Sequence, residues 1–330
     1  MKHRRVFAGL FSVAVVMSVI AAPQAVAAEC QYNRQDLPLP AGATYVHTEG
    51  SSTNNSRIVG SYTDVNANRA LLWVNSTLRV LPPAVYPAFD VFPEAVNNTS
   101  VVVGRQETRR PAGALSKAFR FENGAYEFLE TGADEHSSAF GVNDAGDVVG
   151  TVWTDAAPSV RTVVVWPRNG TRKSFGVGQA VGINAQRKIV MIGDGSGWVV
   201  DTDTGARIEL PGARHPVVFD NDRVLNYEYL PEEARGQITE WDLAGVRVGA
   251  HRGGYQPYGR NGSGTVFGTL EPSLGGTPTL WRTTSRSPVV ADRLPSDYFY
   301  AEITDAATLI GTYRDADNST HPARWLWVCA

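Results

Sequence analysis

An apolar run that stops on glycine, just after a tight polar turn, recurs along this chain. That recurrence constrains the fold more than any single residue does. Its clearest copy is Gly141-Val142-Asn143-Asp144-Ala145-Gly146-Asp147-Val148-Val149-Gly150. Asn143 to Gly146 accept turn geometry, so the stretch reads as strand, reversal, strand. Related runs stop at Gly60, Gly104, Gly268 and Gly311, and degenerate ones at Met191 and Asn226. The spacings between copies are 44, 46, 41, 35, 42 and 43 residues, so seven copies fit.

Each copy continues into an apolar strand that usually ends on an aromatic, as in Ala70-Leu71-Leu72-Trp73, Val163-Val164-Val165-Trp166 and Thr279-Leu280-Trp281. A turn and one more short strand follow. Valine, isoleucine and aromatics dominate these runs, and no stretch after residue 27 shows helical periodicity. Four short strands at a period near 43 are the signature of a β-propeller blade. The expectation is therefore an all-β fold, a single seven-bladed β-propeller over residues 28–330. A pair of β-sandwiches could use similar strands but would not explain seven copies at one period.

With strands lettered a to d from the channel outwards, the tryptophan-bearing strand is c. The seventh copy runs out on that strand, at Trp327-Val328-Cys329-Ala330. The unassigned segment Cys30 to Leu37 then supplies the missing strand d, so the last blade is closed by the mature N-terminal strand and no long edge stays open. Cys30 and Cys329 are the only cysteines, one near each end of the mature chain. In an oxidising compartment they are expected to pair as a structural disulfide across that closure; two free thiols are the alternative.

The pattern Ile/Val-Asn-Asp-x-Gly-x-Val-Val-Gly, then x-Ala-Phe-x-Trp/Phe, then Asn-Gly, resembles the HAF-type extracellular repeats of bacterial secreted proteins. The resemblance covers essentially the whole mature chain through short motifs. The eponymous His-Ala-Phe survives only as Lys117-Ala118-Phe119. It implies a repeated β fold outside the cell and lends no catalytic residues.

Export is also read from the first 27 residues. Lys2, His3, Arg4 and Arg5 precede an apolar run from Val6 to Ala22, and Ala25-Val26-Ala27 is a small-x-small cleavage site. A retained anchor and a lipoprotein are the competing readings. The run is short for a span, and Glu29 stands where a lipoprotein signal wants a small residue. Taking the leader's Lys2, Arg4 and Arg5 from the chain's 30 basic side chains leaves 27 against 33 acidic ones, a net charge of −6. Such a surface has no polybasic footprint for nucleic acid or anionic membrane. A secreted monomer with no membrane span after leader removal is expected.

No metalloprotease, nucleophile-elbow, phosphate-loop, dinucleotide or zinc motif is present, and no cofactor, metal or catalytic residue is assigned. Asp201–Gly205 and Asp315–Ser319 look like fragments of calcium loops without the glutamate that would complete them; the first is expected to be a c–d turn, and calcium stays open at the second. The candidate ligand contacts lie instead in the b–c loops. Tyr62 with Asp64, Trp153 with Asp155, and Tyr313 with Asp315 open three of them, and the second loop, Arg105 to Ser116, adds Arg105 and Arg109. Variable loops on a rigid frame are where binding residues concentrate. The function expected is non-catalytic binding of an extracellular glycan or protein surface over the b–c face. The alternative is an extracellular hydrolase or lyase acting on glycans or peptides. Carboxylates gathered at the channel mouth would favour the enzyme, and an aromatic rim without them the binding protein.

Overall fold

The computed structural model of the chain describes residues 30–64, 67–83, 90–110, 113–220, 222–232, 235–270, 277–282, 289–290, 298–305 and 307–329. The expected leader lies outside them. Among the described residues, 28 strands form seven antiparallel sheets of four. Each strand b packs on strand a of the following sheet, and the seventh packs on the first, so the sheets close into a ring. This is the seven-bladed β-propeller the repeat predicts. The third blade is typical: a is His136–Val142, b Val148–Trp153, c Thr162–Trp166 and d Lys173–Val177.

A bulge at one place in every strand a explains why the apolar runs stop on glycine. Glu49, Glu94, Phe140, Val181, Val217, Tyr258 and Ala301 each sit between residues that pair with adjacent positions of strand b. The b residue beside each bulge is the one that ends the run, as in Ala139↔Gly150. A bulge crowds the partner strand locally. A Cβ at Gly60, Gly104, Gly150 or Gly268 would overlap the carbonyl oxygen of His47, Phe92, Ser138 or Gln256 respectively. At Gly150 it would also come within 2.8 Å of the Trp166 ring. Glycine is needed here for space, not for an unusual φ. Blades 4 and 5 carry Met191 and Asn226 instead, and the Asn226 side-chain oxygen accepts from the His215 amide at 2.9 Å.

The asparagines that open four of the a–b turns hold those turns, and two of them tie one turn to the next. The side-chain oxygens of Asn97, Asn143, Asn184 and Asn261 each accept from the amide four residues on, at 2.8–2.9 Å. Asn97 Nδ2 donates to the Asn143 carbonyl at 2.9 Å, and Asn143 Nδ2 to the Asn184 carbonyl at 3.1 Å. All four are buried, where an amide without partners costs several kcal/mol, about 1–3 for each group left unpaired. Two strand-c tryptophans fasten their blades farther out. Trp73 Nε1 donates to the Pro38 carbonyl at 2.8 Å and Trp166 Nε1 to the Glu130 carbonyl at 2.6 Å, each reaching the connection that enters its blade.

The seventh blade takes strands a to c from Tyr298–Ile303, Leu309–Arg314 and Thr320–Cys329, and strand d from Cys30–Asp36. The register runs from Cys30↔Cys329 to Asp36↔Ala323. Directly opposed Cα atoms in an antiparallel pair are about 4.5–5.5 Å apart, within bridging range. The two cysteine side chains lie outside the described residues, and the disulfide is proposed on this register. Non-reducing mass spectrometry should recover the peptides that carry Cys30 and Cys329 linked. Cys30→Ser should lower the melting temperature while leaving a folded ring, because the strand pairing remains; free thiols at both positions would refute the bond.

Two connections differ in kind from one another. The stretch expected as a long second b–c loop, Arg105 to Ser116, is mostly strand: b (Val102–Arg110) and c (Gly113–Glu122) pair out to Arg110↔Gly113. The fourth is a two-residue hairpin, with Gly193 paired to Ser196. Asp194 and Gly195 have φ of 52° and 74° there, the twist-matched turn that an Asp-Gly pair favours. Asp201–Gly205 is the expected c–d turn, Asp201 Oδ1 accepting from the Asp203 and Thr204 amides at 3.1 and 2.9 Å.

Candidate functional site

The ends of the seven a strands enclose a cavity of about 310 Å³ that opens on the a–b turn face, with every blade contributing to its wall. Strand a is innermost, and its bulge turns one side chain per blade out of the alternating pattern. The wall divides into two arcs. On one side Phe140, Val142, Val181, Ile183 and Phe219 of blades 3 to 5 make it apolar. On the other, blades 5 through 7 and then 1 and 2 place Asp220, Arg260, Glu302, Glu49 and Glu94. Asp144 adds a further carboxylate at the mouth, so five acids face a single guanidinium.

These carboxyls sit in surroundings that resist charge. Burial pushes Glu302 up to about 7 against the pull of Ser51, whose amide and hydroxyl donate to its Oε2 at 2.8 and 2.7 Å. Glu49 meets the water of the lumen yet has protein close around it. That enclosure, with the nearby charge of Glu94, raises it to about 7. Asp220 is raised to about 6 by burial and then by Asp305. Burial also raises Glu94, which Arg105 pairs and partly holds down. Arg260 is neutralised from behind by Glu240, at 2.7 Å. At neutral pH the acidic arc is poised between protonated and charged forms, and a cation entering it would favour the charged one.

The residues expected as ligand contacts fall into separate clusters, with their polar and stacking partners drawn from their own blades. Tyr313 is buried, with the Arg34 guanidinium 4.1 Å over its ring and His321 stacked at 5.2 Å; His321 Nε2 lies 3.1 Å from Asp315. Trp153 is stacked with His136 at 5.2 Å and has Arg161 at 4.1 Å over its ring, while His136 Nε2 meets Asp155 at 2.5 Å. Tyr62 packs against the cluster of Ile58, Leu71 and Trp73, and Asp64 pairs Arg69 at 3.1 Å. Arg105 lies within strand b, bonded to Glu94 and Glu107, and supports the channel wall. The Arg109 side chain lies outside the described residues.

Nor do the three aromatics share one orientation. Tyr62 and Tyr313 stand two residues past Gly60 and Gly311, Trp153 three past Gly150. One residue along a strand reverses the face. Tyr313 accordingly packs with Phe267 of the preceding blade. Trp153 shares its side of the strand with Val149, which packs with Ile189 and Met191 of the following blade.

Glu135, His136 and Asp155 are the only described residues with three metal-ligating atoms gathered together. The imidazole is not arranged as a ligand. The Ser116 amide donates to Nδ1 at 3.3 Å, which leaves the proton on Nε2, and Nε2 donates to Asp155. With both ring nitrogens engaged in this way, His136 has no lone pair to offer a metal or a substrate proton.

No family model matches this chain, and neither does any curated protein. Among solved structures it is similar to an oligogalacturonate lyase in complex with manganese, at 9% identity over 92% of this chain and 98% of that one, with a TM-score of 0.57. It is similar also to the β-propeller domain of the Trilobed protease from Pyrococcus furiosus, at 12% identity over 73% and 81%, TM-score 0.50. TolB from Acinetobacter baumannii matches at 11% identity over 62% of this chain, which spans about half of that protein (53%), with a TM-score of 0.43. The likeness is one of fold. Among the described residues no helix is long and apolar enough to cross a membrane.

The channel acids escaped the sequence reading, although a signal for them exists. Glu49, Glu94, Phe140, Val181 and Tyr258 stand ten or eleven residues before the residue that closes each apolar run. Read as a column, that position holds two glutamates where a buried strand would hold apolar side chains.

Proposed function

We propose that the chain is an exported binding protein that seats a cationic group of its ligand in the acidic arc of the channel, with an apolar flank against the opposite arc. The observation that carries this is the composition of the wall, four carboxylates and one guanidinium in one arc facing an apolar arc, with a fifth carboxylate, Asp144, at the mouth. Concave sites that pair an apolar wall with a few convergent polar groups are the usual seat of small ligands. The b–c face, where the sequence placed the ligand, offers Trp153 and Tyr313 with stacking partners already supplied by the chain. A hydrolase or lyase remains the second reading, since carboxyls raised toward neutrality can serve as general acids. It is supported by the clustering of acids, and the fold likeness adds no chemistry to it.

Titration calorimetry with benzylammonium and benzyl alcohol separates charge from shape. Benzylammonium should bind at least about tenfold more tightly, a difference of ~1.4 kcal/mol, and Glu302→Gln should erase most of it. Equal affinity for the two, or none for either, would count against the cation site. Release of reducing ends from polysaccharides, lost in Glu302→Gln, would favour the enzyme.

A further inference from the structure

On the opposite face of the ring, blade 5 leaves open a ring that blade 3 covers. Tyr229 stands three residues past Asn226, as Trp153 stands three past Gly150. The two positions are therefore equivalent and project toward the following blade. Trp153 has its His136 and Arg161 partners, whereas Tyr229 is 55% exposed. Along the same side of strand b (Arg223–Leu230), Leu225 is buried between blades 5 and 6, Tyr227 is half-buried and Tyr229 emerges. Strand a of blade 6 (Gly254–Arg260) brings Tyr255 up beside Tyr227, 41% exposed. Tyr227 meets the Tyr255 ring edge-on, at 5.1 Å between centroids and 70° between planes. That contact fixes the Tyr255 ring before any ligand arrives, which lowers the entropy cost of binding.

We infer that Tyr229 and Tyr255 form a stacking platform for a neutral sugar ring, on the b–c face between blades 5 and 6. Two observations select this occupant. The exposed large side chains at this spot are tyrosines, which offer a flat apolar face together with a hydroxyl. The exposed aliphatic residues of blade 5, Val246 and Val248, lie away on outer strand d (Arg247–Arg252) and the turn before it. The adjacent rim is also mixed in charge: Glu232 is exposed, and so are Arg235, which pairs opposite Leu230, and Arg252. Such a rim rewards neither a strongly cationic nor a strongly anionic partner. A pyranose presents an apolar C–H face ringed by hydroxyls, matching both the rings and the mixed rim. This site is independent of the channel and stands whether or not the channel binds a cation.

Titration calorimetry of the protein with cellohexaose, chitohexaose and maltohexaose, and with an Arg-rich hexapeptide, tests it. At least one hexaose should bind. Tyr229→Ala and Tyr255→Ala should each weaken it about tenfold, a difference of ~1.4 kcal/mol. Tyr229→Phe, which keeps the ring, should stay within about twofold on the same scale. The melting temperature of Tyr229→Ala should match the parent's, because the side chain is exposed. Overturning results would be no binding of any hexaose, unchanged affinity in both alanine variants, or tyrosine-dependent binding of the peptide alone.

Discussion

Replacing Gly150 by alanine should unfold the third blade or cost at least ~3 kcal/mol, the range of severe core overpacking. The added methyl would overlap the Ser138 carbonyl oxygen and lie 2.8 Å from the Trp166 ring. Neither can retreat easily. The carbonyl belongs to the bulged strand whose shape sets the channel wall, and the indole is tied to the Glu130 carbonyl. Gly124→Ala is the control. Gly124 has φ +83° with open space around its missing Cβ, so alanine there pays only backbone strain of about 1–2 kcal/mol. Chemical denaturation of the two variants decides the matter. Similar losses at both positions would mean that the glycines closing the apolar runs serve turn geometry or flexibility, not room for the bulge.

Between pH 5 and pH 8 the ligand-free protein should lose melting temperature, and a bound cation should reverse that slope. The sign follows from linkage. Glu49 and Glu302 are raised from 4.5 to about 7, and Asp220 from 3.8 to about 6. In that window the folded state holds protons that the unfolded state has released. The stability tied to them is complete below about pH 4.5 and fades as pH rises through about 7. A cation in the arc favours the ionised forms, so its binding should release protons and tighten with pH over the same range. Calorimetry in two buffers of different ionisation enthalpy counts those protons. Glu302→Gln should flatten both dependences. A stability that rises steadily from pH 5 to pH 8 without ligand would show that the channel carboxyls are not held in their neutral forms.

The architecture was legible because a propeller repeats its constraints. The bulge that demands glycine and the turn that demands asparagine occur in blade after blade, so period, blade number and the c strands could be read from Gly60, Gly104, Gly150, Gly268 and Gly311. Strand closure by Cys30–Asp36 followed from counting, since one strand was missing at one end and spare at the other. The site was harder. Channel residues differ from blade to blade by nature, and a repeat search discards the columns that vary. The aromatic set was hard to read for a different reason. Tyr62, Trp153 and Tyr313 look alike in sequence, but the one-residue offset of Trp153 turns it to the other side of its blade. Spacing shows that offset, whereas the covering of these rings by Arg34, His321, His136 and Arg161 depends on contacts that spacing does not report. Tyr229 was passed over because its copy ends on Asn226 and hid the alignment.

The seam of the seventh blade sets the order in which the ring can be completed. Strand d of that blade, Cys30–Asp36, leaves the ribosome before every other strand of the ring, and its partner Thr320–Cys329 after all of them. Six blades can form from neighbouring segments as they emerge, each closing loops of modest length. The earliest strand meanwhile waits as an unpaired edge, able to join a second chain as readily as its own. Joining its own partner strand spans the whole ring, so the final step is the slowest contact to find and the one most exposed to crowding by other copies. Ring integrity is thus decided late, and dilution during folding should matter more to this protein than to a propeller whose blades are all local.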